Sequence, residues 1–221
     1  MHYLGLAMFA EGPTDHRFLR PLLYRLCDEL CLGSRTPVEV SEVLELHTPA
    51  SLKDRPRAER IAVAAESASD AWRVLFVHAD ADGNDAAARA ERVEPALKAV
   101  RERLGSGRHG VAVVPVRSTD AWALADADAL RRVFGTTLTP LELGVPPLPR
   151  DVERLADPKS TLLHSFEATR PPRSRARSGV APYLDRLGDE ICIQALRQLD
   201  AFRRLESDLT AALRDLQILT P

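Results

Sequence analysis

Apolar and polar positions along the chain follow two rhythms. Residues 3–10, YLGLAMFA, are an apolar run of strand length, and the next segment carries Phe18, Leu22, Leu23 and Leu26 at helical spacing to about Leu32. Thr14 is placed to cap that helix and Gly33 to stop it. VEVSEVLEL (38–46) alternates as a strand does, RAERIAVAAESA (57–68) suits a helix, and WRVLFVHAD (72–80) reads as a buried strand. DAAARAERVEPALKAVRERL (85–104) predicts a long helix that Pro95 can kink, and GVAVVPV (110–116) predicts a further strand. The order β-α-β-α-β-α-β argues for an α/β fold: a mainly parallel central sheet flanked by helices. Such sheets place their sites at the carboxyl ends of the strands.

After Arg117 the pattern changes. TDAWALADADALRRVFG is helical in two pieces, TTLTPLELGVPPLPRD is a Pro-rich loop, and the chain from about Asp151 is helical on either side of an Arg-Pro-Ser stretch. The expectation is a core over residues 1–125 and a mainly helical extension over 126–221, packed as one structural domain. No internal repeat is visible.

Composition alters this picture little. Hydrophobic residues make up 45% and charged residues 28% of the chain, as in an ordinary globular protein. The net charge of −2 neither points to nucleic acid nor excludes it, because phosphate binding depends on where Arg and Lys cluster. No window holds ~18 uninterrupted apolar residues, so no membrane span is expected. The first residues lack the basic segment and cleavage site of a signal peptide, which predicts a cytoplasmic location. Cys27 and Cys31 read as small residues on one helical face, and no GxxxxGK[ST] phosphate loop occurs.

The candidate chemistry lies where strands end. Glu11 closes the first apolar run, and Asp15 follows it within EGPTD. Asp80 and Asp82 end the third strand, two residues apart and so on one side of an extended chain. Asp120 follows the fourth strand in VRSTDAW, beside Arg117 and Ser118. His78 is assigned to the opposite face of its strand and His16 to solvent. In a parallel sheet the ends of neighbouring strands meet, so Glu11, Asp80 and Asp82 should converge. Two carboxylates ~5 Å apart repel by about 3 kcal/mol at an effective dielectric of ~20. Such a group calls for a hard cation, Mg²⁺ or Mn²⁺. By the same logic, replacing Glu11 or Asp80 should hold or raise thermal stability. Local readings compete for several of these residues. Asp82 before Gly83-Asn84 is also Asx-turn chemistry, Asp120 is also a first-turn helix acid, and Lys159 in DPKS is also a surface lysine at a helix start.

The motifs EGPTD after one strand and DAD after a later one resemble the Toprim signature, over residues from about 3 to 125. The Glu-Gly-x-Thr-Asp form is most similar to the OLD-type nuclease branch. DPKS, PYLDRLGDEI and LDAFRRLESDL resemble small stand-alone bacterial Toprim-like proteins. The resemblance implies a Toprim-like, Rossmann-like fold and an Mg²⁺-dependent endonuclease cleaving DNA or RNA, with a role in defence against phage. It implies Glu11 as metal ligand and general acid/base, with Asp15, Asp80, Asp82 and Asp120 as further ligands. Lys159 would stabilise charge on phosphate. Arg117, Ser118 and the arm Arg170, Arg173, Arg175 and Arg177 would contact nucleic acid, although a solvated linker explains that arm equally well. A separate ATPase partner and a homodimer are arrangements open to such a chain. Two other readings stay open. One is a non-catalytic nucleic-acid-binding or regulatory subunit of an ATPase partner. The other is a haloacid-dehalogenase-like phosphatase with Asp80 as nucleophile, although that class carries its motif on the first strand.

Overall fold

A computed structural model describes residues 1–220. Strands β1 (His2–Phe9), β2 (Val38–Glu45), β3 (Val74–His78) and β4 (His109–Val113) form one sheet in the order β2-β1-β3-β4, and every pairing is parallel. The alternation along each strand sorts side chains onto two faces. Leu4, Leu6, Met8, Val74, Phe76, Val111 and Val113 enter one core, and Ala7, Phe9, Leu75, Val77 and Ala112 enter the other. The central strands β1 and β3 are buried on both faces and so are near-continuous apolar runs, while the edge strand β2 alternates and is only partly buried.

Helix α1 (Pro13–Cys31) covers the first face with Phe18, Leu19, Leu22, Leu23 and Leu26. Helices α2 (Arg57–Ser67) and α4 (Glu94–Leu104) cover the second. The expected Thr14 cap is not the one used. Gly12 is the N-cap, Pro13 occupies the first helical position, and Asp15 reaches back to accept the Gly12 amide at 3.0 Å. The single helix expected over 85–104 is divided into α3 (Asp85–Ala88), a π turn (Arg89–Val93) and α4. Pro95 has no N–H to give the carbonyl one turn back, and the wider π turn just before it absorbs the break. The third and fourth strands are shorter than their apolar runs. Their pairing ends together where His78 meets Val113.

The remaining helices are α5 (Thr119–Ala123), α6 (Ala127–Phe134), α7 (Pro158–Ala168), α8 (Arg173–Ser178), α9 (Leu184–Glu190), α10 (Ile193–Leu196) and α11 (Asp200–Asp215). All but α8 share the first core with the sheet, through residues such as Leu130, Phe166, Leu187, Phe202, Leu209 and Leu213. Gly188 allows α9 to lie against α1, since a Cβ there would sit 2.2 Å from the Phe18 carbonyl oxygen. Arg25 secures this packing by donating to the carbonyls of Gly188 and Ile191, both at 2.9 Å. Trp72 and Trp122 are buried and serve packing. So do Cys27 and Cys31, which are free thiols; burial pushes Cys31 up to about 11. No helix among the described residues is long and apolar enough to cross a membrane.

Candidate functional site

From β1 the chain runs through α1 to β2 on one side, whereas from β3 it runs through α3 and α4 to β4 on the other. The connections therefore part between the carboxyl ends of β1 and β3, which is where an open parallel sheet leaves a crevice. The residues just past those two strands border it.

Asp15 stands in the first turn of α1 with only 8% of its surface exposed. Its Oδ2 accepts the Gly12 amide and its Oδ1 accepts the Thr119 hydroxyl at 2.7 Å, so the carboxylate is held at both oxygens. His78, the last residue of β3, is fully buried. Its Nε2 lies 3.1 Å from Asp80 Oδ1, and its Nδ1 lies 3.9 Å from Asp15 Oδ2 with no hydrogen-bond partner. Ligand atoms of Asp15, His78 and Asp80 all lie within 4.8 Å of one another. This buried group could hold a metal ion, and the orphaned Nδ1 is what a cation would satisfy. The assignment of His78 to the opposite face is thus corrected. Residues two apart share a side of a strand, and His78 stands to Asp80 as Asp80 stands to Asp82. His16 is also buried rather than solvent-facing, its ring 5.9 Å from that of His47.

A cleft of about 520 Å³ opens beside this group. Asp15, Asp80, Asp82 and Asp120 border it together with Arg117, Ser118 and Lys159. The Asp82 loop is built to fit. Asp82 and Gly83 take left-handed backbone angles, φ 50° and 99°. Their amides donate to the Arg117 and Val116 carbonyls at 3.3 and 2.7 Å. Glycine suits position 83 chiefly through its left-handed backbone; a Cβ there would also lie 3.2 Å from the Arg117 guanidinium and push it aside slightly. Asn84 then caps α3 by accepting the Ala87 amide. Asp120 sits in the first turn of α5 behind its N-cap, Ser118, whose hydroxyl donates to it at 3.4 Å. Burial raises the Asp120 carboxyl to about 6, and the charges of Asp15 and Asp80 push the same way against Lys159 and the Ser118 hydroxyl. Lys159, exposed in the first turn of α7, has no carboxylate within ion-pair distance among the described residues.

Glu11 is placed differently. It does not border the cleft. Its Oε1 pairs with Arg57 at 3.0 Å and also with Arg92. The same guanidiniums donate to the end of β3 and the residues just past it, Arg57 to the His78 carbonyl at 2.6 Å and Arg92 to the Asp80 carbonyl at 2.7 Å. This knot ties β1 to β3, and Glu11 stands at the strand ends near Asp80 with its charge met by two arginines that the sequence did not pair with it. Sequence reasoning passed over both arginines, since RAER and RAERV read only as helix. Arg92 belongs to the π turn, which is the one signal that the segment is unusual.

Arg170, Arg173, Arg175 and Arg177 are exposed on or beside α8 and form no ion pair among the described residues. The segment is a short helix where a linker was the alternative. Its last residue, Ser178, borders the cleft. No family model, curated protein or solved structure matches this chain.

Proposed function

We propose that the protein is a divalent-metal-dependent phosphodiester hydrolase of Toprim type acting on nucleic acid. One observation carries the reading: Asp15, Asp80, Asp82 and Asp120 converge with Lys159 and Arg117 on a single cleft at the strand-order reversal. Four acids in one cleft repel one another unless a cation joins them, and the added cationic side chains suit the oxygens of a phosphodiester. Asp15 would hold the ion, with Asp80 beside it fixing the neighbouring His78, and the ion when bound supplies Lewis-acid polarisation and an acidified water. Magnesium and manganese both suit the carboxylate set. Asp120, whose proton is held up to about pH 6, is poised to take a proton near neutrality. Lys159 and Arg117 would place the phosphate, and the α8 arginines would extend the track along the backbone. Glu11 serves as scaffold in this reading, holding the strand ends through Arg57 and Arg92, and not as the acid/base that the resemblance implies.

The test is a cleavage assay on single- and double-stranded DNA and RNA with Mg²⁺ and with Mn²⁺. Wild type should cleave, Asp80→Ala should not, and Asp120→Asn should be slower by roughly 10²-fold. Cleavage that survives both substitutions would remove the proposal. The pairing of Glu11 favours a second reading, a nucleic-acid-binding subunit that works with an ATPase partner and does not cut. Metal and nucleic-acid binding without cleavage by the isolated chain would select it.

A further inference from the structure

We infer that His78 is itself a ligand of the ion, and that the centre therefore selects Mn²⁺, or another first-row transition ion, over Mg²⁺. The inference deepens the metal reading above and does not depend on cleavage.

A fully buried imidazole needs partners for both nitrogens, because a buried polar atom left unpaired costs about 1–3 kcal/mol. His78 has one partner. Asp80 Oδ1, at 3.1 Å from Nε2, is an acceptor and so places the proton on that nitrogen. The Nδ1 lone pair is then left unpartnered on the side of Asp15. At 3.9 Å the Nδ1–Oδ2 separation is too long for a hydrogen bond. It suits two atoms bound to one ion, since ligands each about 2.1 Å from a metal lie roughly 3 to 4.2 Å apart.

The surroundings are those of a prepared ligand. A metal-bound histidine usually donates its other N–H to a carboxylate, which fixes ring orientation and tautomer, and Asp80 accepts in this way from His78. Asp15 is held by the Gly12 amide and the Thr119 hydroxyl, so little reorganisation is needed for it to meet an ion. The Arg57 hydrogen bond to the His78 carbonyl pins the backbone that carries the ring. Ion identity follows from donor chemistry. Mg²⁺ prefers oxygen ligands and sheds its waters reluctantly, whereas imidazole nitrogen favours transition ions, increasingly so from Mn²⁺ toward Cu²⁺. The competing arrangement is an imidazolium bridging the two carboxylates, which needs no ion.

The experiment uses the full chain. Mn²⁺ and Mg²⁺ are titrated separately by calorimetry, and the Mn²⁺ complex is studied by pulsed electron paramagnetic resonance for coupling to a ligand ¹⁴N. We expect nitrogen coupling, Mn²⁺ affinity well above that for Mg²⁺, and a loss of at least about 10-fold in Mn²⁺ affinity in His78→Asn, the least that losing even an outer partner of a ligand costs, with Mg²⁺ affinity much less changed. The wild-type spectrum decides the ligand even if that variant fails to fold. A Mn²⁺ complex without nitrogen coupling, equal affinities for the two ions, or no ion binding at all would overturn the inference. Nitrogen coupling in a chain that cleaves no nucleic acid would uphold the inference and remove only the hydrolase reading.

Discussion

Two acidic regions lie at the same end of the sheet and are treated in opposite ways. Glu11 leaves β1 into the guanidiniums of Arg57 and Arg92, whose other hydrogen bonds brace the end of β3. Asp15, Asp80 and Asp120 have no lysine or arginine within ion-pair distance among the described residues, and only His78 stands between the first two. The chain neutralises the first region with its own cations and leaves the second charged. Burial is the main cause of the raised Asp120 carboxyl, and the charges of Asp15 and Asp80 add to it. Glu11 is satisfied from within, whereas the Asp15, His78 and Asp80 group could hold a metal ion.

That contrast can be broken most directly at Glu11. Glu11→Ala strands two partly buried guanidiniums, and we expect a loss of about 3 kcal/mol in unfolding free energy by urea titration. This reverses the expectation from sequence that removing the acid would hold or raise stability. Adding Arg57→Ala to it should cost less than the two single changes together, because they share a partner. A midpoint unmoved by Glu11→Ala would mean that the knot holds nothing.

Asp120→Asn should act in the opposite direction and by less, stabilising by about 2 kcal/mol above pH 6. The folded carboxyl titrates near 6 and the unfolded one near 3.8, so the native state binds the extra proton between them. Wild-type stability should therefore lose the Asp120 contribution as pH rises through that window, and the variant should lack that part of the pH dependence. The two should be equally stable below about pH 4. Thermal melts across pH 4–8 without metal check this, and parallel curves would refute the assignment.

The smallest effect tests cations instead of acids. Arg173, Arg175 and Arg177, unlike Arg57 and Arg92, have no internal work, so changing all three to Ala should alter stability by no more than about 0.5 kcal/mol. On the proposed function it should weaken nucleic-acid binding across sequences and flatten its salt dependence, by about one unit of slope for each phosphate no longer neutralised. An unchanged slope would take α8 out of the proposed nucleic-acid track.

Several of these features were legible along the chain. The two-residue and 3.6-residue rhythms exposed the parallel α/β layering, and Asp80 and Asp120 stood out as acids just past apolar runs. His78 was within reach, since the side-sharing that paired Asp80 with Asp82 applies equally to His78 and Asp80. Other features were not local at all. Nothing near EGPTD reveals that Arg57 and Arg92 converge on Glu11, the second of them from 81 positions away. Pro95 announces a break in its helix, but not that the resulting π turn carries Arg92 to the strand ends. Thr14 looked like the better cap, yet Gly12 took the position because Asp15 could satisfy its amide from inside the helix.

By itself the sequence determined the layers, the parallel strands and the presence of carboxylates at their carboxyl ends, because periodicity and chain direction are properties of neighbouring residues. Only the tertiary structure decided which of those carboxylates is paired with arginine and which is not. Coulomb energy depends on distance and burial in space, and the cations and the buried ring nitrogen that set it come from segments far apart along the chain.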